Sequence, residues 1–183
     1  MNIESSANFI LKQDFLSEKE SNSIKKWVSN IKNIKKYNDN YKLKIEEIEF
    51  KINNPLKILF SRVKNELLKE TEKDYIFEWW INFNAKQNWH IDKDEQLYRK
   101  RKKVINPNRS IIYYVKKPSQ GGEIEFIFND HKEKKLTWKK YQFLENQIIS
   151  FGSLVPHRIW DYTGQRISIA INLWEPNLFK KYW

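Results

Sequence analysis

Apolar residues recur every three or four positions in two segments near the start of the chain, which is the spacing of amphipathic helices. The pattern predicts helices at residues 18–32 and 54–70. Ser17 and Glu20 have the form of a capping box at the start of the first helix, and Asn54, followed by a proline, can cap the second. The first part of the chain is therefore predicted to form a helical supporting layer.

Residues 43–52 mostly alternate between apolar and polar positions, whereas from residue 75 onward aromatic and β-branched runs are broken by turn residues. Both patterns are typical of β-strands. Predicted strands lie at residues 43–52, 75–83, 110–115, 123–128, 147–151 and 166–174. Turn-forming residues at 118–122, 129–130 and 161–164 separate consecutive strands, as antiparallel connections require. Helices followed by many strands predict an α+β fold with a sandwich or barrel.

Length and composition place this pattern in one domain. With 183 residues, 15% of them aromatic and eight of them tryptophan, the chain can bury a substantial core. We expect one domain over residues 1–183, with residues 1–74 as support and residues 75–175 as the sheet core. The sequence has no long uncharged apolar run and no secretory signal pattern, so we expect a soluble, cytoplasmic protein without a membrane span.

The formal net charge of +11 favours nucleic acid, acidic peptides or anionic surfaces as partners. Because lysines are spread over nearly every segment, the pattern favours a diffuse basic surface over a dedicated nucleic-acid face. Residues 93–109 contain five consecutive basic residues at 99–103. This basic stretch fits two descriptions equally, a loop that steers an acidic substrate and a flexible, solvated charge run.

The chain has no cysteine, so a transition metal would have to be held by histidine and carboxylate groups. Strand periodicity puts His90 and Asp92 on one face, and His157 follows a predicted strand. His131 lies in a polar turn among lysines, which is typical of a surface residue. Two imidazoles and one carboxylate form the facial triad that suits non-haem Fe(II) and leaves positions open for oxygen chemistry.

Arg166 and Ser168 begin the last predicted strand and share one of its faces. The planar guanidinium of an arginine can bind a carboxylate through two parallel hydrogen bonds, which a lysine cannot do. Beside an iron centre, this arrangement indicates a dicarboxylate cosubstrate. A His-x-Asp pair alone also occurs on exposed strands, and it is the addition of His157 and Arg166 that favours a metal site.

The order His90-x-Asp92, His157, Arg166-x-Ser168 resembles the 2-oxoglutarate/Fe(II)-dependent oxygenase superfamily. Residues 110–115 followed by Gly121-Gly122-Glu123 resemble the core strand and Gly-Gly turn of its prolyl-hydroxylase-like members, and residues 80–84 resemble a bacterial and phage subgroup. The resemblance covers roughly residues 75–175. It implies a double-stranded β-helix core, which is a jelly-roll, cupin-like fold, with supporting N-terminal helices.

The resemblance also implies roles and cofactors. His90, Asp92 and His157 would bind Fe(II), while Arg166, Ser168 and the Tyr114 hydroxyl would bind 2-oxoglutarate. Tyr113 would point to the other face of its strand. Oxygen would be consumed as 2-oxoglutarate is converted to succinate and carbon dioxide, with ascorbate as a candidate stimulant. Halogenation is disfavoured, because halogenating relatives replace the carboxylate that Asp92 retains.

The substrate class stays open at this point. The prolyl-hydroxylase-like features favour hydroxylation of a peptidyl, prolyl-type side chain, yet Val115-Lys116 stands where many of those members have Leu-Asn. The alternatives are a nucleic-acid oxidative demethylase, a small-metabolite hydroxylase and a non-catalytic basic binding module on the same fold. The last strand lacks the second arginine typical of the demethylases, so nucleic acid is not the favoured substrate.

Two further residue groups have alternative interpretations. Trp79 and Trp80 are predicted to be core residues, because large aromatic side chains at the start of a barrel are usually buried. Arg158, directly after His157, could lie at the edge of a pocket or pair with an acidic neighbour such as Asp161.

Overall fold

Two helices pack on the outer face of the larger of two antiparallel sheets in the computed structural model, which describes residues 9–31, 41–44, 53–72, 74–130 and 134–178. Its helices are α1 (Glu18–Ser29), α2 (Leu56–Glu66) and α3 (Glu95–Arg101), with a 3-10 turn at Glu70–Glu72. Its strands are β1 (Ile10–Lys12), β2 (Tyr41–Lys44), β3 (Ile76–Phe83), β4 (Arg109–Lys116), β5 (Gln120–Gly121), β6 (Ile124–Asp130), β7 (Lys135–Tyr141), β8 (Ile148–Gly152), β9 (His157–Ile159), β10 (Tyr162–Thr163) and β11 (Ile167–Trp174).

The larger sheet has six strands in the order β1-β8-β4-β11-β3-β2, and every neighbouring pair is antiparallel. β11 lies between β3 and β4, with Ser168 opposite Asn82 on one side and Tyr114 on the other. The start of the last predicted strand is therefore in the interior of the sheet. The smaller sheet has the order β7-β6-β9, and β5 pairs with β10 in a separate short ladder.

Two apolar clusters account for the packing of the layers. One cluster joins α1 and α2 to the outer face of the six-stranded sheet and includes Phe60, Phe77 and Tyr113. The other lies between the two sheets and includes Tyr114 and Phe126. Because side chains alternate along a strand, Tyr113 contacts the helical layer and Tyr114 faces the inter-sheet space, as predicted.

The helices begin where the sequence predicts and end earlier. The Ser17–Glu20 capping box is present: the Ser17 hydroxyl accepts from the Glu20 amide at 3.4 Å, and the Glu20 carboxylate accepts from the Ser17 amide at 2.9 Å. Oδ1 of Asn54 accepts from the Leu56 amide at 2.9 Å, as expected of a cap. The predicted ends at residues 32 and 70 were too late, because α1 ends at Ser29 and α2 at Glu66.

Several other element predictions need correction. The basic stretch 93–109 is not wholly irregular, because it contains α3, which Asp94 caps by accepting from the Leu97 amide at 2.5 Å. Residues 129–130 were predicted as a turn but belong to β6. β1, β7 and β9 were not predicted, and the short strands β5 and β10 lie in segments predicted as turns. Of the strand predicted at 43–52, only residues 43–44 are among those described, and they lie in β2.

The described helices include none with the length and apolar character that crossing a membrane requires.

Candidate metal centre and carboxylate pocket

Three side chains with metal-binding atoms converge beside the smaller sheet. The candidate ligand atoms of His90, Asp92 and His157 all lie within 4.8 Å of one another. Nε2 of His90 is 3.9 Å from Oδ1 of Asp92, and the centroids of the two imidazole rings are 4.2 Å apart. The structure thus brings together the three residues that the sequence selected, in a donor set that suits Fe(II).

Backbone hydrogen bonds hold the three residues in this arrangement. His90 and His157 form an antiparallel bridge, with N···O distances of 3.0 and 2.9 Å. The Asp92 amide donates to the Ser153 carbonyl at 3.3 Å, and the Asn106 side-chain amide donates to the Asp92 carbonyl at 2.6 Å. The segment around His90 therefore extends the smaller sheet beyond β9.

The second nitrogen of each imidazole contacts a backbone carbonyl. Nδ1 of His90 is 2.7 Å from the Asn88 oxygen, and Nδ1 of His157 is 3.0 Å from the Val155 oxygen. Because a carbonyl oxygen can only accept, each contact places the proton on Nδ1 and leaves the Nε2 lone pair free for a metal. Such contacts also fix the orientation of the ring.

His157 is 2% exposed and packs against the rings of Phe126 and Phe151, with centroid distances of 5.8 and 4.8 Å. Burial lowers the pKa of His157, and the neighbouring Asp92 carboxylate partly opposes this change. The neutral imidazole that burial favours is the form that binds a metal ion.

A narrow pocket lies between these residues and the inner face of β3, β11 and β4. Besides the three candidate ligands, its lining residues are Trp80, Asn82, Gln87, Ser110, Ile111, Ile112, Ala170 and Asn172. Hydrogen bonds organise its polar side chains: the Trp80 indole donates to Asn82 at 3.1 Å, and the Ser110 hydroxyl donates to Asn172 at 3.1 Å. A substrate in this pocket would meet neutral polar groups and an indole.

Arg166 lies on the inward face of the same chain segment as Ala170 and Asn172, and it is only 1% exposed. Its guanidinium lies 4.5 Å from the Phe143 ring centroid and 5.9 Å from that of Tyr114. Burial lowers the pKa of Arg166. Among the described residues no carboxylate lies within 4 Å of the guanidinium, so the structure gives this charge no anionic partner.

Unsatisfied polar atoms surround this arginine. Nε of Arg166 and the hydroxyl of Tyr114 are buried and have no hydrogen-bond partner in the described part of the chain. Burial raises the pKa of the Tyr114 hydroxyl well above its ordinary value, so it remains a neutral donor. Ser168 is 1% exposed and lies opposite Tyr114 in the strand register. Unpaired buried donors are costly, and a bound carboxylate would satisfy them.

The Gly-Gly turn contacts the arginine. Gly122 has φ +78°, and a Cβ added there would be 2.7 Å from Cγ of Pro118 and 3.5 Å from Cδ of Arg166. Only glycine fits this backbone conformation and this close approach without strain. The turn that supports the family resemblance is thus part of the wall around Arg166.

The structure also shows the positions of other residues for which the sequence made predictions. Trp79 is buried in the core as predicted, but the core prediction for Trp80 was wrong, because Trp80 is half-buried and lines the pocket. Arg158 pairs with Glu125 at 2.7 Å rather than with Asp161. His131 lies outside the described residues.

Several residues of the pocket were not predicted from the sequence. Asn82 and Asn172 follow Trp80 and Ala170 at strand spacing, so strand periodicity could have placed them on the inward face. Phe143, which stacks on Tyr114 with a centroid distance of 4.0 Å, follows β7 in an irregular segment. No local pattern indicates its position, because its contacts come from distant parts of the chain.

No protein-family model matches the sequence, and no curated protein matches it. Solved structures of prolyl hydroxylases do share its fold. A Pseudomonas putida prolyl-4-hydroxylase is 14% identical with a TM-score of 0.59, covering 92% of this chain and 86% of that one. The viral collagen prolyl hydroxylase of Paramecium Bursaria Chlorella virus-1, in its 2OG complex, is 15% identical with a TM-score of 0.56, covering 91% and 95%.

A third similar structure is that of prolyl 4-hydroxylases from Phytophthora capsici, with a TM-score of 0.60 at 12% identity. The match covers 95% of this chain and 61% of that one, so this chain spans about three-fifths of its length. The chain therefore has a prolyl-hydroxylase-like fold, as the resemblance in the sequence predicted.

Proposed function

We propose that this protein is an Fe(II)- and 2-oxoglutarate-dependent dioxygenase that hydroxylates a C–H bond. The observation that carries the proposal is the convergence of His90, Asp92 and His157 on one point, on a fold shared with prolyl hydroxylases. We also propose that the two facing sheets are the double-stranded β-helix core of that class, and that residues 1–183 form one domain.

Iron would be held by Nε2 of His90, Nε2 of His157 and the Asp92 carboxylate. Bound Fe(II) would supply open coordination positions and the redox chemistry that activates oxygen as 2-oxoglutarate is converted to succinate and carbon dioxide. The carbonyls of Asn88 and Val155 hold the two rings in the required tautomer. The apolar rings around His157 keep that imidazole neutral and exclude water from its inner side.

The distal carboxylate of 2-oxoglutarate would bind Arg166, with the hydroxyls of Tyr114 and Ser168 as further donors. The unpartnered Nε and Tyr114 hydroxyl support this assignment, because the ligand would supply the anion and the acceptors that they lack. Asp92 also argues against halogenation, since it fills the position that a halide would need.

For the substrate, we propose a peptidyl side chain of prolyl type, which would reach the candidate iron site along Trp80 and Asn82. The likeness in fold to prolyl hydroxylases supports this class, and the neutral lining of the pocket is compatible with it. If peptides do not stimulate turnover, small metabolites and nucleic acids are the next substrate classes to test.

Succinate formation tests the proposal. Anaerobically purified protein is supplied with Fe(II), ascorbate, oxygen and 2-oxoglutarate, first alone and then with proline-containing peptides. Wild type should form succinate in an iron- and oxygen-dependent way, His90→Ala should form none, and His131→Ala should retain activity as a matched control. Equal succinate formation by wild type and His90→Ala would refute the proposed iron site, and no succinate together with no binding of Fe(II) or 2-oxoglutarate would favour a non-catalytic module.

A further inference from the structure

The smaller sheet has an outward side that carries exposed tryptophans. Four of the seven large apolar side chains that are exposed in the described residues lie there: Trp138 at 56%, Leu136 at 43%, Trp89 at 40% and Trp160 at 38%. We call this surface the tryptophan face and define it by the three tryptophans together with Lys140 and Arg158. Exposure of large indole side chains to water is unfavourable, so a cluster of three exposed tryptophans indicates a binding surface.

Strand register fixes the composition of this face. Ile124 and Phe126 on β6 point into the inter-sheet cluster, so Glu125 between them points outward. Glu125 lies opposite Lys140 of β7 and Arg158 of β9, which places both cations on the outward side. The antiparallel bridge between His90 and His157 joins the segment that contains Trp89 to the β9 edge of the smaller sheet.

Cations and indoles alternate across the tryptophan face. The Trp160 ring has the ammonium of Lys140 at 4.1 Å and the guanidinium of Arg158 at 4.2 Å, and Arg158 is also 4.8 Å from the Trp89 ring. The carboxylate of Glu125 accepts from Nε of Arg158 at 2.7 Å and from the Trp160 indole at 3.1 Å. This one acidic group thus holds an arginine and an indole in fixed positions.

Protection of a sheet edge accounts for only part of this pattern. β7 is an edge strand, and residues 134–141 contain four lysines and no acidic residue, as edge strands often do to prevent association. Lysines alone would serve that purpose. The exposed indole of Trp138 would oppose it, because an aromatic side chain on an exposed edge promotes association.

We propose that the tryptophan face binds single-stranded nucleic acid, with bases stacking on the exposed indoles and phosphates contacting Lys140 and Arg158. Aromatic platforms interleaved with cations are how proteins bind single strands without sequence preference. The net charge of +11 gives the long-range attraction that a polyanion requires. An acidic peptide would engage the cations but would leave the indole of Trp138 without a partner.

The proposed ligand is bound next to the candidate metal centre rather than in it. His157 points into the inter-sheet space, whereas the adjacent Arg158 points outward, since successive side chains of a strand alternate. Docked nucleic acid would therefore hold the protein at a nucleic-acid site while leaving the inner pocket open. This inference does not rest on the proposed oxygenase activity.

Binding of a fluorescent oligothymidine of about twelve nucleotides tests the inference by anisotropy at two or more salt concentrations. Wild type should bind, with affinity falling as salt rises. Trp138→Ala should weaken binding by about fivefold or more, as loss of one stacking side chain does. Tyr98→Ala should not weaken binding, although Tyr98 is also an exposed aromatic residue with a lysine 4.4 Å from its ring.

A charge-reversal pair separates the face from general basicity. Lys140→Glu and Lys139→Glu change the net charge equally, but these neighbours point to opposite sides of β7. Lys140→Glu should weaken binding much more than Lys139→Glu, while succinate formation stays unchanged. The unfolding transition should be lower only for Lys140→Glu, whose carboxylate would lie opposite Glu125. Equal weakening by the two variants, no binding at low salt, or binding of polyglutamate but not of the oligonucleotide would overturn the inference.

Discussion

Arg166 is a buried cation that faces aromatic rings, and its Nε has no hydrogen-bond partner among the residues that the structure describes. Burial of an unpaired charge reduces stability, so a protein retains such a group where a ligand supplies the missing anion. The same reasoning applies to the Tyr114 hydroxyl beside it. These two residues therefore give the candidate carboxylate site a property that can be measured without knowing the substrate.

Arg166→Gln should weaken 2-oxoglutarate binding by about 10- to 100-fold, because charge-assisted hydrogen bonds contribute roughly 1.5–3 kcal/mol. Arg158→Gln is the matched control, since that arginine follows His157 but points away from the pocket. Binding is measured by anaerobic calorimetry with Fe(II) present. Similar losses in the two variants would mean that Arg166 has no specific role.

Tyr114→Phe should leave the stability of the ligand-free protein unchanged or higher, because it removes a hydroxyl to which no described residue is hydrogen-bonded. It should weaken 2-oxoglutarate binding by about 2- to 10-fold, the contribution of one neutral hydrogen bond.

Tyr113→Phe is the control, and its effects on stability and on 2-oxoglutarate binding should be the reverse of those of Tyr114→Phe. The Tyr113 hydroxyl is 3.2 Å from Ser21 and 3.1 Å from Asn146, so its loss should cost about 1 kcal/mol of stability and leave 2-oxoglutarate binding unchanged. Chemical denaturation and calorimetry on both variants check the prediction. A stability loss in Tyr114→Phe equal to that in Tyr113→Phe would contradict it.

At the residue scale, the sequence was informative where spacing determines position. His90 and Asp92 two residues apart on an extended segment must share a face, so their convergence was predictable. The half-buried position of Trp80 was not, since the same periodicity allows a core or a pocket wall. The contact of Phe143 with Arg166 depends on the tertiary fold and has no local signal.

Among the elements, the Gly-Gly turn before β6 connects the backbone to the candidate carboxylate site. Gly122 has a positive φ and lies against both Pro118 and Arg166. A side chain there would strain the turn and clash with Pro118, so the turn would shift and with it the wall that contacts Arg166.

Gly122→Ala should destabilise the protein by about 1–3 kcal/mol and also weaken 2-oxoglutarate binding. Gly164→Ala is a matched control, because Gly164 has φ +83° and a close contact with Ser119 but none with Arg166 among its nearest neighbours. It should lose similar stability while binding 2-oxoglutarate normally. Denaturation and calorimetry distinguish the two effects, and parallel loss of binding in both variants would contradict the role of the turn.

Prediction of the elements succeeded where an aromatic and β-branched run ends at turn residues. β3, β4, β8 and β11 are such runs and were placed within a few residues. Prediction failed for α3, because its consecutive basic residues hide the signal. Its stability comes from the Asp94 cap and from Leu97, which packs in a cluster with Ile76 and Trp174 that joins distant parts of the chain.

For the whole molecule, the two apolar clusters share the six-stranded sheet, so the helical layer and the two sheets should unfold together. We expect one cooperative thermal transition. Fe(II) with 2-oxoglutarate at about 100 times its dissociation constant should add roughly 2.7 kcal/mol of stability. Anaerobic thermal unfolding measures both, and two separate transitions would contradict the single-domain prediction for residues 1–183.

The most direct test of the central claim is whether 2-oxoglutarate binding depends on iron held by the three ligands. Anaerobic calorimetry should show 2-oxoglutarate binding in the presence of Fe(II), and affinity at least about tenfold lower without metal or in Asp92→Ala. Equal affinity with and without Fe(II), or Fe(II) binding by Asp92→Ala as tight as by wild type, would contradict the claim that His90, Asp92, His157 and Arg166 form one iron and 2-oxoglutarate site.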